Sequence, residues 1–271
     1  MFDALYIGAT GMQAQQLNVD TIANNLANVN TTGFKKGRVS FTDLMMTDAA
    51  GALQRSGTSA VADLAREVGP LAAIPRTGAG VGVASMGKLF DAGTTTSTGS
   101  AWDLAIQGDG FMQVTLADGS TAYSRGGTLK VASDGQLQTQ PGQPLKPGIA
   151  IPPNASGIAI ATDGTVNVTV PNQSKPVNAG QLQLVRFTNP TGLLAQGDNL
   201  YRSSDASGEP IAGNAGQDGI GTFQQGALEG SNVKLVDEMV NLMVAQRAYE
   251  ASVKVVQASD ELLGMVNNLR K

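Results

Sequence analysis

The chain contains no cysteine and no histidine. Their absence excludes disulfides, cysteine nucleophiles, histidine general bases, the Ser-His-Asp triad and nearly every zinc site. A Ser-Lys or two-carboxylate hydrolase stays compatible with the composition. Aromatic residues are scarce, at 4% of 271 residues, which argues against a large aromatic-lined pocket. Lys and Arg number 18 against 22 Asp and Glu, a net charge of −4, and the pI is about 4.8. That balance argues against a nucleic-acid partner, which calls for a basic surface. No run approaches the ~18 apolar residues of a spanning helix, so no membrane insertion is expected. No Lys or Arg precedes Lys35, so an ordinary cleavable signal peptide is not expected either. The missing cysteine does not place the protein. It suits a cytosolic chain, and equally an exported one that must not cross-link on the way.

What is present is a long C-terminal segment with no proline and one glycine, Gly264, from Ser231 to Lys271. Leu235, Leu242, Tyr249, Val256 and Leu263 recur every seven residues, and Met239 and Val253 form a second row interrupted by Gln246. This spacing predicts a long helix with an apolar seam, close to the period of a coiled coil. Ser231 or Asn232 can cap it, Asp237 and Glu238 suit its positive end, and Arg270 and Lys271 suit its negative end. At ~1.5 Å per residue it would be roughly 55 Å long.

The chain begins with a matching element. Leu5, Met12, Val19 and Leu26 are again spaced by seven, with Ile22 and Val29 as a companion row that is small or polar earlier, at Gly8 and Gln15. Asp3 can cap this helix, and Thr31-Thr32-Gly33 ends it. One pair of long helices carries little stability alone, because helices in proteins are held mainly by tertiary packing. The glycine-rich middle offers little apolar surface to spare, so neighbouring copies are the expected partners.

Between the helices the pattern changes. Lys35, Lys36 and Arg38 cluster in what reads as a solvated bend, and residues 49–82 read as an extended, Ala/Gly/Ser/Thr-rich connector with a short helical turn over Ala60–Val68. From about Val83 to Phe223 apolar residues alternate with period two. Turn dipeptides punctuate the pattern at Asp118-Gly119, Gly126-Gly127, Asp134-Gly135 and Asp163-Gly164. Antiparallel hairpins follow from this, including one in which Leu104–Ile106 and Phe111–Val114 flank Gly108-Asp109-Gly110.

Two stretches resemble chemical motifs and fail on inspection. Gly82 to Leu89 nearly fits a phosphate loop, but Leu89 stands where Ser or Thr must hold the magnesium. Gly78-Ala79-Gly80-Val81-Gly82 lacks the third glycine of the dinucleotide pattern. The Asp-Gly pairs lack the ligand series of a calcium loop and read as hairpin turns. Trp102, the single tryptophan, reads as a core or interface anchor. No catalytic, cofactor or metal residue is expected.

The terminal stretches do carry a resemblance. Residues Ala23 to Lys35, reading Ala-Asn-Asn-Leu-Ala-Asn-Val-Asn-Thr-Thr-Gly-Phe-Lys, are similar to the N-terminal signature of the bacterial flagellar rod and hook proteins. Ser231-Asn232-Val233 and Val240 to Glu250 resemble the C-terminal signature, and Asp103 to Phe111 the central one. Ile151 to Ala155, Gly197 to Tyr201 and Gln225 to Glu229 resemble the distal-rod branch of that family. Arg125-Gly126-Gly127 departs from the usual Arg-Asp-Gly, and Met46 to Arg76 is divergent. The proximal-rod branch shares the terminal signatures and is the nearest alternative. A secreted β-domain binding module on a helical stalk is the alternative from another class.

The resemblance implies an α+β fold. The terminal helices (1–32 with 231–271) would form a discontinuous coiled-coil domain, 33–82 an extended connector or long hairpin, and 83–230 an inserted antiparallel β domain. It implies export unfolded through the flagellar type III apparatus and polymerisation into a tube that spans the periplasm, transmits torque from motor to hook and encloses the export channel. Expected partners are further copies, other rod subunits, the hook protein, and the peptidoglycan-ring and outer-membrane-ring proteins. The subunit-packing residues would be Leu5, Met12, Val19, Ile22, Leu26 and Val29 on the first helix. On the second they would be Leu235, Met239, Leu242, Gln246, Arg247, Tyr249, Val253, Val256 and Leu263. Gln13, Gln16, Asn24, Asn25, Gln257 and Asn267 lie off the seam and are expected at the channel.

Overall fold

The computed structural model describes residues 2–45, 78–171 and 175–268. The divergent stretch Met46–Arg76, with the expected turn over Ala60–Val68, lies outside these residues. The fold is α+β, with a helix at each end and antiparallel sheets between. The first helix, α1, spans Phe2–Ala27 and the second, α2, spans Leu235–Asn268. Turns occupy 28–33 after α1, closing on Gly33 at φ 70°, a conformation natural to glycine.

The chain divides into two compact units. The first comprises residues up to 23, 39–86 and 239 onward; the second comprises 24–38 and 87–238. In the first unit α1 and α2 run antiparallel and approach closely where their side chains are smallest. A β-carbon added at Gly8 would lie 2.6 Å from Val256 Cγ2 and 3.7 Å from the Ser252 carbonyl oxygen. One added at Gly11 would lie 3.3 Å from Ser252 Oγ. Strands Gly37–Met45 and Gly78–Lys88 pair as a two-stranded ribbon. The near-phosphate-loop stretch is therefore extended strand through Lys88, with no strand-to-helix turn to cradle an anion.

The second unit is built from sheets. Leu194–Gly197, Leu200–Arg202, Thr121–Ser124, Phe111–Thr115, Gln183–Arg186 and Ile211–Asn214 lie in that order in one sheet, with Leu145–Lys146 joining beside Phe111–Thr115. Thr222–Gln225, Asp103–Gln107, Gly126–Val131 and Leu137–Thr139 form another. Gly157–Ile160, Thr165–Thr169 and Val177–Gln181 form a third. Period two decides what each face of a strand packs against. Met112, Val114 and Leu184 point into the main core with Leu104, Ile106, Val166, Val168 and Phe223. Phe111 and Val185, on the opposite faces, join Tyr123, Phe187, Leu193 and Tyr201 in an aromatic cluster. Its rings meet edge to face, as Tyr123 and Phe187 do at 4.8 Å between centroids.

Three Asp-Gly turns form as the sequence predicts. Asp118, Asp134 and Asp163 each accept the backbone N–H two residues on, at 2.9, 3.0 and 2.9 Å. The glycine after each has φ of 79–84°. Two expected pairings do not form. Asp103–Gln107 and Phe111–Thr115 sit in different sheets rather than in one hairpin, because Gly108 and Gly110 redirect the chain at φ 92° and 150°. Gly126-Gly127 is no turn either. It opens a strand, opposite Leu104 and Ala105.

Candidate subunit interface

The segments that lead out of α1 and into α2 meet on the β unit around Glu229. Its backbone oxygen accepts from Gly33 N at 2.7 Å. Its carboxylate accepts from Lys35 Nζ at 2.8 Å, Gly93 N at 3.0 Å and Arg125 Nε at 3.3 Å. Lys35 also donates to the Asp91 carbonyl at 2.7 Å, and Arg125 Nη1 donates to the Gly108 and Gly110 carbonyls at 2.9 Å each. The three charged residues are 0, 4 and 3% exposed for Lys35, Glu229 and Arg125. Burial lowers the Lys35 ammonium below its ordinary value against the pull of its partners. Burial alone would raise the Glu229 carboxyl, but Arg125, Lys35 and the Gly93 N–H outweigh it and hold it below the usual range. Beside them Tyr201 is pushed up to about 12 by burial.

Lys35 therefore does not sit in a solvated bend. Its partner Glu229 is 194 residues away, and no local pattern announces that pairing. Two asparagines complete the junction. Asn25 Oδ1 accepts from Gly37 N at 2.7 Å while its Nδ2 donates to Gly37 O at 2.9 Å, so one side chain reads a backbone position as a strand neighbour would. Asn25 is buried, which removes it from the residues expected at a channel. Asn232 Oδ1 accepts from Lys36 N at 2.8 Å and its Nδ2 donates to Leu89 O at 2.9 Å. It therefore pins Lys36 and Leu89, the residues that flank two strand ends, and does not cap α2, which begins three residues later at Leu235.

Along α2 two opposite faces are apolar. One carries Leu242, Ala245, Val256 and Leu263 with the small polar residues Ser252 and Ser259, and these are buried or half-buried. Ser252 and Ser259 turn their hydroxyls back to Ala248 O and Val255 O, so they present no unmet donor to α1. The opposite face carries Val236, Val240, Met243, Val244, Val255 and Leu262, all exposed, with Val236 at 70% and Val244 at 63%. Separations of four, seven and eleven residues, each a sum of helical steps of three and four, keep this stripe on one side of the helix. Exposed Gln246, Glu250, Gln257 and Glu261 form a polar flank between the two.

The residues expected to pack subunits fall on both sides of this division. On α1, Ile22 is buried and Leu5, Met12, Val19 and Leu26 are half-buried; Val29, also half-buried, lies in the turn beyond the helix, which ends at Ala27. On α2, Leu242, Val253, Val256 and Leu263 are half-buried, whereas Leu235, Met239, Gln246, Arg247 and Tyr249 are exposed. Arg247 stands on the outer stripe. The exposed row from Val236 to Leu262 has no counterpart in the sevenfold seam, although the three-and-four spacing of its first part, Val236 to Val244, was readable. Trp102 is partly exposed at the edge of the β unit, at 36%. No described helix is long and apolar enough to cross a membrane.

Family models and whole-chain relatives both match this sequence. A family model described as flagella basal body rod protein matches residues 5–35, which include α1's seam, Asn25 and Lys35. The flagellar hook protein FlgE/F/G D1 domain matches 105–168, and the flagellar basal body rod FlgEFG protein C-terminal model matches 224–269, from the strand before Glu229 through α2. The flagellar basal-body rod protein FlgG of Borreliella burgdorferi is 43% identical over 100% of both chains. The chain belongs to the FlgG family of flagellar basal-body rod proteins. FlgG of Caulobacter vibrioides is 41% identical over 98% of this chain and 99% of the relative. FlgF of the same organism is 33% identical, over 97 and 95%. With organism held constant, the chain sides with FlgG. These relatives are structural rod proteins, not enzymes.

Proposed function

We propose that this chain is the structural subunit of the flagellar distal rod and assembles as a helical homopolymer through its two terminal helices. The observation that carries the reading is the double apolar face of α2. A long helix that packs α1 on one side and exposes Val236, Val240, Met243 and Val244 on the other lacks cover for its second apolar face. Identical copies supply that cover in a heterologous contact, and such contacts generate open helical tubes. In this reading α1 and α2 form a coiled-coil layer around an axial export channel, with the polar flank of Gln246, Glu250, Gln257 and Glu261 toward the lumen.

In this reading the β unit meets the bushing made by the peptidoglycan-ring and outer-membrane-ring proteins. Other rod subunits and the hook protein meet the ends of the tube. The rod spans the periplasm, carries torque from motor to hook and is reached by type III export. The test is assembly of purified protein followed by electron microscopy across a concentration series. Tubes that form from wild type and are lost in the Val240→Glu, Met243→Glu double variant support the proposal. Tubes of equal yield from the variant, or monomers throughout the series, overturn it.

A further inference from the structure

We infer that Glu229 is a latch: the segments at the roots of both helices close onto the β unit only once this residue is seated. Three stretches distant in sequence converge on one carboxylate, namely Gly33 to Lys35, Asp91 to Gly93, and Arg125. Without it the site holds two cations, Lys35 and Arg125, with backbone carbonyls as their remaining partners. Two like charges in a dry site repel and pay full desolvation, so the site cannot close on them alone. With Glu229 present, both cations gain a charge-assisted partner, and the backbone of Glu229 takes up Gly33 N in the same step.

The strand that carries Glu229, Ala227–Glu229, pairs with Thr95–Ser97, so seating the carboxylate also completes a ribbon. Glu229 comes late in the chain, while Lys35 and Arg125 come early. A chain whose C-terminal portion has not yet arrived therefore keeps the N-terminal root unlatched. The consequence for assembly, that a half-delivered subunit cannot present both helix roots set for polymerisation, rests on the rod reading above. The latch itself does not rest on it.

The experiment uses the full chain in dilute solution, where assembly plays no part. Unfolding constants and amide exchange are measured for wild type, Glu229→Gln, Lys35→Met and the double variant. Glu229→Gln strands two buried cations, so it should raise the unfolding constant by at least about a hundredfold. Lys35→Met leaves the Arg125–Glu229 pair intact and should cost at least tenfold less. The double variant should recover part of the loss of Glu229→Gln. In Glu229→Gln, protection should fall first at Gly33 to Gly37, while Leu104 to Val114 stays protected.

A double variant as unstable as Glu229→Gln or worse overturns the latch. So does loss of protection that is uniform over both segments, since it makes Glu229 an ordinary member of the β core. If Glu229→Gln yields no folded protein, the double variant decides the matter, because it removes the carboxylate and strands one cation instead of two. Protection lost at Gly33 to Gly37 with a stable β core sustains the latch, and unchanged protection there overturns it. Failure of the rod reading would show as absent tubes and would leave these four values where they are.

Discussion

Gly8 of α1 faces Val256 of α2 so closely that a single added methyl group would stand 2.6 Å from a valine methyl. Val256 is β-branched and stiff about its first torsion, so it cannot swing aside freely. Replacing Gly8 by alanine gains helix propensity of about 0.5–1 kcal/mol. Overpacking against Val256 costs about 1–3 kcal/mol. The clash wins, and Gly8→Ala should lower the dissociation temperature of assembled tubes.

Gly264 supplies the control. It too lies within a helix, but a β-carbon there would meet nothing within 4 Å. Gly264→Ala should therefore raise helix content by circular dichroism and leave stability equal or higher. If the two variants behave alike, glycine at residue 8 is not there to admit α2.

The long helices and the β middle were legible in the sequence because both rest on periodicity. Sevenfold spacing marked α1 and α2, and the Asp-Gly turns fell where alternation broke. What was not legible is non-local. Lys35 in the sequence is one of three clustered cations, and only the fold brings Glu229 to it. Gly126-Gly127 looks like a turn because glycine pairs usually are. Here Gly126 lies where a β-carbon would press on the Leu104 carbonyl, so the pair serves close strand approach instead. On α2 the sevenfold seam drew attention from the second stripe, because a helix apolar on two sides has no single amphipathic direction to read.

Asn25 joins α1 to the strand that follows it. Asn25→Ala removes both bonds to Gly37 and should cost about 1–3 kcal/mol, since a buried N–H is left unmet. Asn25→Asp keeps the size and the acceptor, but places a second carboxylate beside buried Glu238, which Asn25 Nδ2 contacts at 3.4 Å. Denaturant unfolding should rank aspartate at least as harmful as alanine. An aspartate variant as stable as wild type would show that geometry alone matters here.

Acid should find the latch. The Glu229 carboxyl is held below its ordinary value of 4.5, so it contributes stability that is fully present above that pH and is lost as pH falls through its folded value. Asp118 and Asp163 are shifted the same way by their turn hydrogen bonds, so the difference between variants is the informative quantity. Stability plotted against pH should fall more steeply below about pH 4.5 in wild type than in Glu229→Gln. Parallel curves would mean that Glu229 titrates alike in the folded and unfolded chains.

In dilute solution the apolar outer stripe of α2 has no partner. Amide exchange in α1 up to residue 23 and in α2 from residue 239 should be fast there, with Leu104–Ile106 and Met112–Val114 protected. Strong protection in both helices of the dilute monomer would count against helices that are completed by neighbours.

The claim that identical copies cover the outer face of α2 has a direct test, made clean by the absence of native cysteine. A single cysteine is placed at Val244, on the outer stripe, or at exposed Glu209 on the β unit, and maleimide labelling rates are compared between monomer and assembled tube. The Val244→Cys thiol should label at least about tenfold more slowly in the tube, as burial in a packed contact requires, while Glu209→Cys labels at similar rates in both. Equal labelling of Val244→Cys in monomer and tube would contradict the account, because the stripe would then remain in solvent after assembly.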